Sequence, residues 1–365
     1  MKVIMTGGGT GGHIYPAIAI ANKIKEKCPE AEILFVGTKR GMEKELVPKS
    51  GYPLEFITVS GFNRKNLLKN FKTAADLLKG NREARSIIKS FKPDIVIGTG
   101  GYVCGPVVRA AKKLGCRTFI HEQNAYPGMT NKLLEKYVEK VFVAFADAKK
   151  YFKHPEKLMV TGNPVRKVFY DANPAEAKKK LGLAENEFAI LSFGGSLGAL
   201  KLNQMMLELF EKFNGVGGIH LYFVTGKYYN KSVKEELAAR GIEICDNVTV
   251  MEYIDHMEKY LPAADVIISR SGALAVSEIT VAGRASIMVP SPNVTGNHQY
   301  FNAKSVADVG GAFLIEEKDL TSELLYEKIM YLRENEAARH AMEQNSRMAA
   351  PEDAAEIIAD YVLGH

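Results

Sequence analysis

The sequence predicts an α/β protein of two doubly wound domains facing each other across a cleft. Three observations carry that prediction. Short apolar runs alternate with helical stretches along the 365 residues, the pattern that gives mostly parallel sheets with helices on both faces. A glycine-rich turn follows the first strand of each half, at Gly7–Gly12 and again at Gly194–Gly198. Between the halves the pattern pauses at Thr161–Arg166, where Pro164 disfavours helix at Asn163 and a loose stretch runs on to Pro174.

Taken in order, Lys2–Met5 reads as a short apolar strand and Ile14–Lys27 as a helix. Ile14, Ala17, Ile18, Ala21 and Ile24 recur there at helical spacing, with lysines between them. Strands follow at Glu32–Val36, Leu54–Thr58, Asp94–Gly98, Thr118–Glu122 and Val141–Ala144. The second series opens with a strand at Phe188–Phe193 and a helix at Leu200–Phe213. Further strands are expected at Leu221–Thr225, Asn247–Met251, Val266–Ser269 and Ser286–Val289. By its pattern the last helix, Ala354–Leu363, suits either domain. We divide the chain into an N-terminal domain of residues 1–163, to which the segment 346–365 returns, and a C-terminal domain of residues 164–345.

A hydrophobic content of 46% and a charged content of 25% are those of a folded soluble protein. No apolar stretch approaches the roughly 18 residues of a spanning helix, and the short apolar run between Lys2 and the glycines is no signal peptide. Cys28, Cys104, Cys116 and Cys245 form no C-x-x-C pair, which predicts reduced thiols in the cytoplasm. The net charge of +6 hides an asymmetry. Residues 1–163 hold 28 Lys+Arg against 14 Asp+Glu, and the remainder holds 20 against 28. The basic half is expected to face something anionic: nucleic acid, a membrane surface or a polyphosphate. Residues 62–92 concentrate that charge, with nine Lys/Arg interleaved with Leu67, Leu68, Phe71, Leu77 and Leu78. The stretch fits either a surface helix packed on its own domain or a helix end and loop resting on an anionic bilayer. On the second reading Lys65, Leu68, Lys69, Phe71 and Lys72 meet the membrane. No nucleic-acid motif is visible, so nucleic acid is not expected as a partner.

Ligands of such sheets collect outside the carboxyl ends of the strands, and the polar loops fall there. Five glycines in Gly7–Gly12 leave amides uncovered at a helix start, beside His13. Ser196 stands in the second glycine turn. Arg166, just past the linker, has planar donors that suit a diphosphate. Ser269–Glu278 reads as a strand end, a glycine turn and a helix start. Its Glu278 can accept bonds from both ribose hydroxyls, or can be a first-turn acid favoured by the helix dipole. Gly296–Asn302 places amides at another helix start.

Together these stretches resemble a known family. Gly8-Gly9-Thr10-Gly11-Gly12-His13, Gly100-Gly101-Tyr102-Val103, His121-Glu122-Gln123-Asn124 and Ser271-Gly272-Ala273-Leu274 through Glu278 carry the match, supported by Gly194-Gly195-Ser196 and Gln299-Tyr300. The whole chain is similar to the bacterial cell-wall glycosyltransferases that add N-acetylglucosamine to undecaprenyl-diphospho-muramoyl-pentapeptide. That resemblance implies two Rossmann-like domains of the GT-B type. It implies UDP-N-acetylglucosamine as donor and the lipid-linked muramoyl-pentapeptide as acceptor. It places the protein peripherally at the cytoplasmic face of the cell membrane. Donor contacts carry over to Thr10, Gly11, Gly12, Asn124, Arg166, Ser196, Ile254, Ala273, Leu274, Ala275, Val276, Ser277, Glu278 and Gln299. Ile254 would meet the uracil and Glu278 the ribose. Gly9, Gly100, Gly101 and Tyr102 would hold the acceptor. Two departures are visible: Ala275 stands where relatives often carry Thr, and Cys104 where Ser is common.

The resemblance further implies inversion, the acceptor's 4-hydroxyl attacking as UDP leaves from the opposite face. A sugar hydroxyl is a weak nucleophile, so a base within hydrogen-bond reach is expected, and His13 is the candidate because imidazole titrates near neutral pH. No Asp-x-Asp motif occurs, so neither a catalytic metal nor another cofactor is expected. Three alternatives remain at this point. Gly7-x-Gly9-x-x-Gly12 also fits the dinucleotide fingerprint of NAD(P)-dependent oxidoreductases, but Gly37-Thr38-Lys39-Arg40 lacks the acid that fingerprint wants. A nucleotide-sugar epimerase would leave the basic surface unexplained. A non-enzymatic lipid-binding module would leave the second-domain site idle.

Overall fold

The computed structural model describes residues 1–61, 69–350 and 352–364. The chain forms two compact units, one of Met1–Val165 with Pro351–His365 and one of Arg166–Ala350. Buried parallel strands read as unbroken apolar runs rather than alternating ones, and the inner strands of both sheets are of that kind.

In unit 1 the strands are β1 (Lys2–Gly7), β2 (Glu32–Gly37), β3 (Leu54–Phe56), β4 (Ile95–Gly100), β5 (Arg117–Glu122), β6 (Lys140–Val143) and β7 (Leu158–Val160). They pair in parallel in the order β3-β2-β1-β4-β5-β6-β7. The order reverses between β1 and β4, whose carboxyl ends therefore border a switch-point crevice. The helix Gly11–Lys27 buries Ile14, Ala17, Ile18, Ile20, Ala21 and Ile24 against the sheet. The helix Ala354–Leu363 closes the same core with Ile358, Ala359 and Val362. Asp353 caps it by accepting the amides of Ala355 and Glu356. Lys27 reaches across from the first helix to Glu356 (2.9 Å) and Asp360 (2.7 Å).

Unit 2 holds β8 (Phe188–Phe193), β9 (Ile219–Val224), β10 (Val248–Met251), β11 (Val266–Ser269), β12 (Ser286–Met288) and β13 (Phe313–Leu314). Their order is β10-β9-β8-β11-β12-β13, all parallel, with the switch point between β8 and β11. The helix Leu200–Phe213 packs Leu202, Met206, Leu209, Phe210 and Phe213 onto this sheet. At the opposite end from the switch point, Asp265 accepts from Lys178 (2.8 Å) and the Ala189 amide (2.7 Å), while Arg284 pairs with Glu343 (2.8 Å). Each buried charge there has a partner.

The structure amends the expected boundaries. β7 and β13 are edge strands of three and two residues, and their apolar runs, Leu158–Val160 and Phe313–Leu314, are too short to reveal a strand in sequence. β3 stops at Phe56, and β4 runs on to Gly100. The change of unit falls after Val165 rather than residue 163, because Asn163 and Val165 are still buried in unit 1. The return to unit 1 starts at 351, not 346. Residues 346–349 end the helix Glu336–Ala349, where Ser346 backs onto Gly311 and Arg347 lies over the Tyr170 ring in unit 2.

Of the five residues expected at a membrane, Lys65 and Leu68 lie outside the described residues. Lys69, Phe71 and Lys72 fall on the helix Lys69–Phe91. That helix buries Ala84, Ile87 and Ile88 and leaves Leu77 and Leu78 exposed. Among the described residues no helix is long and apolar enough to cross a membrane.

Candidate active site

At the switch point of unit 1 the loop after β1 touches the loop after β4. The Gly8 amide donates to the Gly100 carbonyl (3.3 Å). A Cβ on Gly101, whose φ is +84°, would fall 2.5 Å from the Gly8 oxygen, so a side chain there would part the two loops. Gly9 also turns with positive φ, but nothing lies within 4 Å of where its Cβ would stand. Its outer side is open to a ligand. The helix then begins at Gly11 with Thr10 as an N-cap that makes no side-chain cap, so the first amides face outward.

Glu43 props this loop from beneath. Its fully buried carboxylate accepts the Gly9 amide (2.9 Å), the Thr38 amide (2.8 Å) and the Thr38 hydroxyl (2.7 Å). Sequence reasoning missed this residue, and nothing in its spacing marks it. The carboxylate is spent on the loop, so it supplies no substitute for the ribose acid missing after β2.

His13 is half-buried at the start of the helix, with Nδ1 3.0 Å from Gln123 Oε1. No described residue bonds its Nε2. Gln123 and His121 are buried beneath it at the carboxyl end of β5. Their neighbour Glu122 is also buried and organises the following loop from inside. It accepts the Asn124 amide (3.0 Å), Asn124 Nδ2 (3.1 Å), the Gly128 amide (2.9 Å) and Asn131 Nδ2 (2.8 Å). Tyr102 is exposed, its ring against Gly61. Cys104 is buried and donates its thiol to the Thr6 and Gly100 carbonyls. Burial pushes that thiol up to about 12, which makes it inert.

Unit 2 repeats the device. The turn after β8 leads into the helix Leu200–Phe213, whose N-cap Ala199 supplies no side-chain acceptor, and Ser196 is exposed in that turn. Across the switch point, β11 ends in Ser269-Arg270-Ser271-Gly272 and the helix Ala273–Val281, likewise uncapped by a side chain. The hydroxyls of Ser192, Ser269 and Ser271 are buried without a protein partner among the described residues. Gln299 spends Oε1 on the Ser291 amide (2.9 Å), which turns its NH₂ group away from that bond.

Arg166 places Nη1 2.9 Å from Glu258 and Nη2 3.6 Å from Glu278, with its guanidinium over the Phe169 ring. Glu278 lies in the second turn of its helix, so the first-turn dipole reading does not apply. Burial pushes its carboxyl up to about 7 against the pull of Arg166, and Glu258 adds to the rise. Burial also pushes Glu258 up, but its own backbone amide, His256 and Arg166 outweigh this and hold it below the usual value. Sequence reasoning missed Glu258 too.

Two expected contacts change character. Ile254 is buried, so only its backbone is left to meet a base, and that backbone has no partner among the described residues. Val276 has a buried side chain and an amide bonded to the Gly272 carbonyl (3.0 Å), so it has no donor to offer.

Two switch points, each lined by a glycine turn and uncapped helix amides, put the chain in the class of two-domain α/β proteins built for phosphate-bearing ligands. Comparison with known proteins narrows the class. The model of the glycosyltransferase family 28 N-terminal domain matches residues 3–143, and that of the family 28 C-terminal domain matches residues 189–359. The chain belongs to glycosyltransferase family 28. A relative from Alkaliphilus oremlandii, the UDP-N-acetylglucosamine--N-acetylmuramyl-(pentapeptide) pyrophosphoryl-undecaprenol N-acetylglucosamine transferase, is 48% identical over 98% of this chain and 97% of its own length. The transferase of the same name from Thermoanaerobacter sp. is 46% identical over 98% of each. The crystal structure of Acinetobacter baumannii MurG superimposes with a TM-score of 0.77 at 29% identity, covering 100% of this chain and 99% of that one. A putative UDP-N-acetylglucosamine 2-epimerase from Listeria monocytogenes shares the fold alone. Its TM-score is 0.72 at 16% identity, over 100% of this chain and 96% of that one.

Proposed function

We propose that this chain is the inverting transferase that moves N-acetylglucosamine from UDP-N-acetylglucosamine to the 4-hydroxyl of lipid-linked N-acetylmuramoyl-pentapeptide in peptidoglycan synthesis. End-to-end identity of 48% to a transferase named for that reaction carries the reading. The site chemistry agrees with it. The acceptor's O4 forms the new bond to the anomeric carbon while the bond from that carbon to the UDP oxygen breaks. The hydroxyl proton passes to His13 Nε2, and UDP leaves with the bonding electrons. Gly9, Gly100, Gly101 and Tyr102 hold the acceptor beside that base.

The amides of Leu200, Leu274 and Ala275 at two helix starts without a side-chain cap, beside Ala273, take up the diphosphate charge with Ser196 and Arg166. The Ile254 amide and carbonyl read the uracil edge, the Glu278 carboxylate accepts the ribose hydroxyls, and the free donors of Gln299 meet the sugar. Thr10, Gly11, Gly12 and Asn124 are further donor contacts, and Leu274 and Ser277 shape the helix start. Val276 contributes packing only.

We assign the enzyme to the cytoplasmic face of the membrane as a peripheral protein. The surplus of 28 basic over 14 acidic residues in 1–163 supports this, as do Leu77 and Leu78, exposed on a helix rich in lysine and arginine. Radiolabelled UDP-N-acetylglucosamine incubated with a short-chain lipid acceptor tests the reaction. Label transferred to the lipid, with UDP released, is the expected result. Release of free sugar, or isomerisation of the donor without transfer, would overturn it. His13→Ala should lower kcat by about 10²–10⁴ and leave donor affinity unchanged.

A further inference from the structure

We propose that Gln123 is a positioning residue that holds His13 as its Nδ1–H tautomer and so leaves Nε2 as the proton acceptor. The inference rests on the reading of His13 as the base. The groups around His13 have roles fixed by what they can bond. Gln123 Nε2 lies 2.7 Å from the Thr99 carbonyl, which can only accept, so that end of the amide is the NH₂ group. The same nitrogen lies 2.9 Å from His121 Nδ1.

His121 Nε2 in turn faces the Gly162 carbonyl at 2.9 Å, so Nε2 carries the proton and Nδ1 is left to accept from Gln123. Burial keeps His121 neutral, pushing it down to about 4; the Gly162 bond opposes that fall, and His13 adds to it whenever its ring carries a proton on both nitrogens. Two carbonyls, Thr99 and Gly162, thus set the direction of the whole chain of bonds. Only Oε1 of Gln123 remains for His13, and an acceptor 3.0 Å from Nδ1 requires a proton on Nδ1. Asn163 Nδ2 also donates to the Gln123 carbonyl (3.0 Å), which fixes the backbone of the same residue.

The device resembles the carboxylate of a catalytic triad in orienting the ring, with one difference. A carboxylate stabilises the imidazolium, whereas an amide orients without adding charge. Other titratable side chains on the segments meeting here are Tyr15, Glu43, Tyr102, Cys104 and Glu122. Glu43 and Glu122 have their oxygens filled by donors, and Cys104 stays a thiol.

Nitrogen-15 NMR of the histidine-labelled enzyme reads the tautomer directly. A protonated Nδ1 and a lone-pair Nε2 on His13 are expected, and the reverse assignment overturns the proposal. Gln123→Met keeps the bulk and removes the acceptor. It should lower kcat by about tenfold or more, with KM for UDP-N-acetylglucosamine changed less than about twofold, and yield a mixture of tautomers. Gln123→Glu restores an acceptor that is charged, so the acid limb of its kcat–pH profile should move to higher pH than in the wild type. Wild-type kcat and pH profile in both variants would overturn the role of Gln123. Near-normal turnover in His13→Ala would instead remove His13 as the base, whatever the tautomer measured by NMR.

Discussion

Glu278 shows at the scale of one residue how a site works against the fold that holds it. A carboxyl raised to about 7 is one that the folded protein prefers protonated. Relative to an unfolded glutamate, its contribution to stability is present below a pH of about 4.5 and is lost as pH climbs through about 7. The proposed role of Glu278, accepting two ribose hydroxyls, needs the ionised form. Donor affinity, followed by calorimetry with UDP-N-acetylglucosamine, should therefore fall as pH drops below about 7. Glu278→Gln should bind donor weakly at every pH. It should also melt higher than the wild type at pH 8, by on the order of 3 kcal/mol in stability, and equally at pH 4. A variant that loses affinity without this gain in stability at pH 8 would mean that Arg166 already offsets the buried charge.

At the scale of the element, the loop between β1 and the helix Gly11–Lys27 keeps its shape because a separate helix reaches under it. Glu43, at the start of the short helix Glu43–Lys49, bonds both the Gly9 amide and Thr38. Glu43→Gln turns an NH₂ group toward donors that need an acceptor. It should cost about 2 kcal/mol in urea unfolding and also lower kcat, because the amides beside His13 move. Unchanged turnover despite the loss of stability would separate the prop from the chemistry. The glycines were legible here and the prop was not. Glycines mark backbone conformation locally, while Glu43 acts on residues some thirty positions away.

At the scale of the molecule the charge is divided, with the basic surplus in residues 1–163 and the acidic surplus in the rest. Each Lys or Arg near an anionic bilayer contributes about 1 kcal/mol, and salt screens that attraction over roughly 10 Å at 0.1 M. The protein should sediment with vesicles containing phosphatidylglycerol at low salt and be released as sodium chloride rises. Replacing Lys65, Lys69 and Lys72 by Glu should reduce binding without altering activity toward a soluble short-chain acceptor. Salt-independent binding would point to the exposed Leu77 and Leu78 as the main contact.

The alternation of apolar strands and helices, two glycine turns and the pause at Pro164 determined the class, the two-unit division and most of the strands, because those signals are local and repeat at a fixed period. The order of motifs along the chain determined the family. Tertiary structure decided what depends on contacts between distant segments. It joined Ala354–Leu363 to the core of unit 1 through Ile358 and Val362, and it placed Arg166 between Glu258 and Glu278. It also withdrew the Ile254 and Val276 side chains from any ligand. Above all it set Gln123 and His121 behind His13. In sequence these are members of one polar motif. In the fold two carbonyl groups fix which of their atoms donate and which accept, and so which nitrogen of His13 is left free.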